Sequence, residues 1–135
     1  MVYRFPHLNR DEAARDTLIF GKHDPNAYRS GGGIRYFDSL SLATLQQLFA
    51  QKFIDADDKQ NYAPTAGQIL EFMERYPEYT AHGYTVTIDR PDYRVTLEGV
   101  CKGDGADSMD ELEDFINLFR DADTIDTATM SCWFD

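Results

Sequence analysis

Between Ser41 and Phe53 the apolar residues Leu42, Leu45, Leu48, Phe49 and Phe53 recur at intervals of three and four, with Gln46, Gln47 and Gln51 on the other side. That is the spacing of a helix with one buried face, and Ser41 stands where it can cap the first turn. A second helix is predicted from Thr65, where Thr65-Ala66-Gly67-Gln68 is a capping-box pattern. Ile69, Phe72, Met73 and Tyr76 form its inner face, and Pro77 stops it. Ser108-Met109-Asp110-Glu111 opens a third with the same pattern; Leu112, Phe115, Ile116 and Phe119 make its stripe, and it ends near Asp121.

After the second helix the period drops to two. Tyr84, Val86 and Ile88 alternate with Thr85 and Thr87, and Tyr93, Val95 and Leu97 alternate with Arg94, Thr96 and Glu98. The link Asp89-Arg90-Pro91-Asp92 has turn chemistry, so the pair predicts a β-hairpin. Its Tyr/Val/Ile and Tyr/Val/Leu faces should meet the helices, and its Thr/Arg/Glu faces should meet solvent or a partner. Thr127 to Phe134 reads as a terminal strand with Ala128, Met130, Cys132 and Phe134 on one face. In residues 1–40, Thr17–Phe20 and Ile34–Phe37 read as short strands around a loop that holds Asp24-Pro25 and Gly31-Gly32-Gly33.

The predicted order, helix, helix, strand, strand, helix, strand, is an α+β fold. It implies a small three-stranded antiparallel or mixed sheet, larger if N-terminal strands join it, with the helices on one face. The expected core is Leu45, Leu48, Phe49, Phe72, Val86, Ile88, Val95, Leu97, Phe115, Ile116 and Phe119.

At 135 residues and 42% apolar content the chain is sized for a single globular domain with a real core. Its mean hydropathy of -0.51 and lack of a long apolar run predict no membrane span. The N-terminus lacks the apolar stretch of a secretory signal, and two cysteines are too few for a disulfide scaffold, which fits a reducing cytoplasm. Charge divides the chain. The formal net charge is -11, and residues 104–135 hold ten of the 24 acids and a single base, Arg120. Such a balance opposes direct binding to nucleic-acid phosphates.

The familiar catalytic patterns fail on spacing. Gly31-Gly32-Gly33 is not followed by the Gly-Lys-Ser/Thr of a phosphate loop. His7, His23 and His82 lack the paired spacing of zinc ligands, so no metal and no cofactor is expected. Asp55-Ala56-Asp57-Asp58 and Asp121-Ala122-Asp123 lack the glycine and glutamate of a calcium loop. Asp92, Glu98 and Lys102 match the metal-nuclease constellation only loosely. Cys101 has no histidine nearby in sequence and reads as an inert thiol.

The charge run is the feature above background. On the third helix Asp110, Glu113, Asp114 and Asp121 fall away from the apolar stripe, with few lysines to balance them. Carboxylates favour a helix N-terminus, but a surface of one sign also steers a basic partner. The expectation is a non-enzymatic domain whose acidic helix binds a basic protein, one form being an inhibitor that mimics nucleic acid. An alternative is a small-ligand or enzymatic site near Lys22, His23, Asp24 and Arg35. A third reading is a structural or homodimerising domain that uses the aromatic terminal strand.

Overall fold

The structure, a computed structural model, describes residues 1–135. Helix α1 spans Glu12–Phe20 and is followed by a 3-10 turn at Pro25–Tyr28, strand β1 (Ile34–Leu40) and helices α2 (Leu42–Ala50) and α3 (Ala66–Arg75). Strands β2 (Thr80–Val86) and β3 (Arg94–Cys101), helix α4 (Met109–Phe119) and the short strands β4 (Thr124–Asp126) and β5 (Ser131–Trp133) complete the chain. The five strands form one antiparallel sheet in the order β1-β2-β3-β5-β4. The protein is α+β, as its sequence predicts. No helix is long and apolar enough to cross a membrane.

The predicted caps are in place. Ser41 accepts from the Thr44 N–H, and Thr65 and Gln68 form the full reciprocal box. At α4, Ser108 accepts from the Glu111 N–H, but the Glu111 carboxylate turns to the Asp107 N–H, so the box is half formed. Two elements differ from expectation. Thr17–Phe20 is the last turn of α1, not a strand: Asp11 caps the helix and Gly21 ends it in the left-handed region. The terminal strand is a hairpin, β4–β5, whose turn takes residues 127–130. Met130, Cys132 and Phe134 do share a buried face, while Ala128 is exposed.

Pairing register assigns the two faces of the sheet. Arg35, Thr85 and Val95 lie side by side, as do Phe37, Gly83 and Leu97, and Leu40, Ala81 and Val100. This is the helix-covered face: Phe37, Leu40, Ala81, Val95, Leu97, Val100 and Cys132 share one core with Leu45, Leu48, Ile69, Phe72, Met73, Phe115 and Phe119. Tyr84 and Val86 therefore lie on the opposite face, correcting the predicted hairpin orientation for β2 and confirming it for Val95 and Leu97. The polar positions do not meet solvent either, since Thr85, Thr87, Thr96 and Glu98 are all buried. Ile116 is exposed at 42%, and Phe49 and Ile88 are half-buried. The inner side of α4 runs through Glu111, Phe115 and Phe119, and Ile116 stands about 100° around the helix from Phe115.

The glycine loop is packed at Gly33, while Gly31 and Gly32 are exposed. Gly33 has φ +91, and a Cβ there would collide with the Arg90 side chain at 2.6 Å. Its absence lets Arg90 donate to the Gly32 carbonyl while the Thr87 N–H donates to the Gly33 carbonyl, so the loop anchors the β2–β3 turn. The N-terminal segment straps the same turn to α2: Tyr3 donates to the Ile88 carbonyl, Tyr93 to that of Asn9, and the Asn9 N–H to that of Lys52.

Candidate functional site

Helix α4 carries the predicted acidic surface, and the structure divides its four carboxylates. Asp110, Glu113 and Asp121 are exposed and make no ion pair. Asp114 faces α3, where it accepts from Arg75 Nη1 at 2.8 Å and the Tyr76 hydroxyl at 2.5 Å. Those two hydrogen bonds hold its carboxyl below the usual range. Asp114 belongs instead to a shallow groove of about 290 Å³ between α3 and α4 that also involves Gln68, Phe72 and Leu118. One exposed flank of α4 carries Met109, Glu113, Ile116 and Arg120, spaced four, three and four, beside Asp110 and Asn117 on the side opposite the core. Met109 is 67% and Ile116 42% exposed, so two apolar side chains stand among the free acids.

Glu111, which the sequence places in the capping box of α4, is buried and structural. Lys102 Nζ lies 3.0 Å from one of its oxygens and also reaches Asp107 and Glu78, and Tyr79 donates to it at 2.8 Å. Burial pushes the Glu111 carboxyl up, but hydrogen bonds from the Asp107 N–H, Tyr79 and Lys102 outweigh it and the net direction is down. Lys102 is thereby committed, well away from the nuclease role. The other members of that constellation are dispersed too: Asp92 is clasped by Arg90 and Arg94, and Glu98 is buried with Oε1 unpartnered. Burial, with the nearby Asp135, pushes the Glu98 carboxyl up. Of the calcium-like runs, Asp55 pairs with His7, Asp57 is exposed, and Asp123 accepts from the Asp135 N–H.

The alternative site is not assembled as predicted. Lys22 is exposed, Asp24 caps the 3-10 turn through the Asn26 N–H, and Arg35 stacks on the Phe20 ring at 3.7 Å. Arg35 Nη1 and His23 Nδ1 are both buried without a hydrogen-bond partner, and His23 Nδ1 lies 3.6 Å from Asp16. It meets a network that the sequence did not announce. Arg15 and Asp16, neighbours on α1, are both fully buried. Arg15 donates to Asp16 at 2.9 Å, to the Tyr28 hydroxyl at 2.9 Å and to the Val86 carbonyl at 3.0 Å, and its guanidinium lies over the Tyr93 ring. Tyr28 in turn donates to Asp16 and meets the Thr85 hydroxyl, both at 2.8 Å. Burial raises the Tyr28 hydroxyl to about 12, against the pull of Arg15, so it is a neutral donor at every physiological pH.

Glu12, Asp16 and His23 bring two carboxylates and an imidazole within 4.8 Å of one another, a donor set that could hold a divalent ion. The Arg15 guanidinium, 3.8 Å from Glu12 and bonded to Asp16, already supplies the positive charge there. Glu12 also accepts from Thr87 and the Ile88 N–H. Apart from His23 Nδ1, which has no hydrogen-bond partner, the cluster reads chemically as an ion network centred on the buried Arg15 and Asp16 that clamps α1 onto the hairpin.

Sequence reasoning missed the outer face of the sheet. There His82 of β2 stacks on Trp133 of β5, ring centroids 4.3 Å apart and 19° from parallel. Gly99, between them on β3, allows the approach, because a Cβ would strike the Cys132 carbonyl and His82 Nε2. Trp133 is 40% and Tyr36 66% exposed. The one available signal was the aromatic content of two short strands, Tyr36 in one and Trp133 in the other. The larger surface cavities are lined by residues other than Lys22, His23, Asp24 and Arg35. No family model, no curated protein and no solved structure matches this chain, so the geometry of these surfaces alone carries the functional reading.

Proposed function

We propose that the protein is a non-enzymatic interaction domain that engages a basic protein through the solvent face of α4. The observation that carries this reading is the pairing of Met109 and Ile116, exposed at 67% and 42%, with the unpaired acids Asp110, Glu113 and Asp121. Exposed apolar anchors inside a charged rim are the anatomy of a docking surface, where the anchors supply affinity and the charges supply partner choice and rate. The dipole argument accounts for acids in the first turn of a helix, but Asp121 lies beyond its C-terminus, where the dipole disfavours it. Solubility alone does not ask for the two apolar residues.

A partner that fits would present lysines or arginines around an apolar pocket or ridge. An inhibitor that occupies a nucleic-acid channel is a narrower form of the same idea, and displacement of DNA from the captured partner would identify it. The test is capture from extracts of the source cell by wild-type protein and by the Met109→Ser/Ile116→Ser variant, at low and at physiological salt. Both residues are exposed, so the variant should keep the wild-type Tm. The expected result is a partner held at low salt, weakened by salt and lost in the variant. Capture unchanged by the double substitution would overturn the assignment to α4.

A further inference from the structure

We propose that the cavity where the end of α1 meets β1 and Trp133 is a binding site for a small quaternary ammonium cation, formed by Phe20, Tyr36, Asp38 and Trp133. These side chains, with Ile19 and Phe37, line a cavity of about 350 Å³. That volume lies in the range of small-molecule pockets. Three different parts of the fold build it. Phe20 ends α1, where Gly21 turns the chain away; Tyr36 and Asp38 come from the edge strand β1; Trp133 comes from β5. Asp38 sits at the irregularity between Phe37 and Leu40, where Ser39 takes φ +53.

The chemistry of the lining selects a cation. Aromatic faces are negative, and an alkylated ammonium ion gains both their electrostatic attraction and their apolar contact. Asp38 is exposed and has no ion-pair partner, so it supplies a full negative charge beside the rings. A phosphate-bearing or carboxylate ligand would be repelled by the same residue. One face of the Phe20 ring is already taken by the Arg35 guanidinium at 3.7 Å, whose charge opposes a second cation there. Phe20 therefore supplies apolar contact, and the selection for a cation rests on Tyr36, Trp133 and Asp38. His82 backs Trp133 by stacking, and burial lowers its pKa despite the opposing influence of Asp38, so the imidazole brings no positive charge beneath the indole at neutral pH. The backing also fixes the indole plane, reducing the ordering cost of binding. Tyr36 is braced in the same way, edge to face against Tyr84 with centroids 5.7 Å apart. Two braced and solvent-exposed aromatics beside a free carboxylate form a preorganised site, and its size commits the occupant to a free small molecule.

Trp133 is the chain's single tryptophan, so its emission reports the site directly. The probe is choline, titrated against the full-length protein, with its uncharged isostere 3,3-dimethyl-1-butanol as comparison. The expected result is a saturable change in emission for choline and about fivefold or greater weakening for the isostere. Asp38→Asn and Tyr36→Leu should each weaken choline binding about threefold or more at unchanged Tm, because both positions are exposed. Absence of a saturable change up to about 50 mM choline, or equal affinity for the isostere, would overturn the proposal. Co-sedimentation with phosphatidylcholine vesicles that Tyr36→Leu abolishes would overturn the free-ligand assignment in favour of a lipid headgroup.

Discussion

Replacing Arg15 by Met removes the guanidinium at the centre of the buried network and leaves a side chain of similar length. Arg15 and Asp16 are both fully buried, and the substitution deletes three hydrogen bonds, to Asp16, Tyr28 and the Val86 carbonyl. Asp16 then keeps only the Tyr28 hydroxyl as donor, and the Val86 carbonyl loses its arginine donor. Breaking a buried pair from one side costs about 3–5 kcal/mol, because the remaining charge has neither water nor partner. Against a typical stability of about 10 kcal/mol for a chain of this length, that is a third to a half of the total. At about 4 °C per kcal/mol the Tm should fall by about 12–20 °C. Urea unfolding followed by far-UV ellipticity and Trp133 emission measures it, with the m-value unchanged. Adding Asp16→Leu to the first substitution removes the stranded charge and should restore at least about 1 kcal/mol. A loss below about 1 kcal/mol for Arg15→Met, or additive losses in the double variant, would refute the claim that this network is a coupled and buried structural clamp.

Phe115→Ala should cost about 3–5 kcal/mol, since the ring is fully buried among Phe72, Tyr79 and Phe119, whereas Ile116→Ala, one residue on, should stay within about 0.5 kcal/mol. Calorimetry of the two variants compares them directly. The Glu111 carboxyl has its pKa lowered by folding, so its contribution is present above its ordinary value of 4.5 and is lost as pH falls through the folded value. Glu111→Gln should therefore destabilise at neutral pH and flatten the acid limb of a Tm-against-pH curve. Glu98 has the opposite sign: its pKa is raised, so its cost grows as pH rises above 4.5, and Glu98→Gln should raise Tm at neutral pH with the gain vanishing in acid.

The helices α2, α3 and α4 were legible because their determinants are local: Ser41, Thr65 with Gln68, and Ser108 each bond within four residues of themselves. Helix α1 escaped because its two fully buried positions are polar, while Ala14, Leu18 and Phe20 pack on the core only in part. Arg15 and Asp16 occupy positions where a periodicity search looks for leucine, although Asp11 and Gly21 marked both ends. The hairpin pairing was legible from its alternation, and so was the helix-facing side of β3 through Val95 and Leu97, but that of β2 was not, because Thr85 is satisfied by Tyr28, 57 residues away. The same limit applies to the acidic surface. Counting neighbours along the helix finds no base for Asp114, yet Arg75 reaches it from 39 residues earlier. Glu111 completes a capping-box pattern in sequence and is instead the anchor of Lys102. Trp133 and His82 lie on strands that are not even neighbours in the sheet, so no local pattern joins them.

The most direct test of the α4 assignment separates surface geometry from net charge. The Asp110→Asn/Glu113→Gln variant removes two charges from α4, and Asp57→Asn/Asp89→Asn removes two exposed charges elsewhere, leaving both proteins at the same net charge. The association rate with the captured partner is measured for each as ionic strength rises from about 20 to 200 mM. The account predicts that the α4 pair slows association and flattens its salt dependence, while the Asp57/Asp89 pair stays close to wild type. Equal slowing in both variants would contradict it, and would reduce the acidic face to a bulk-charge effect.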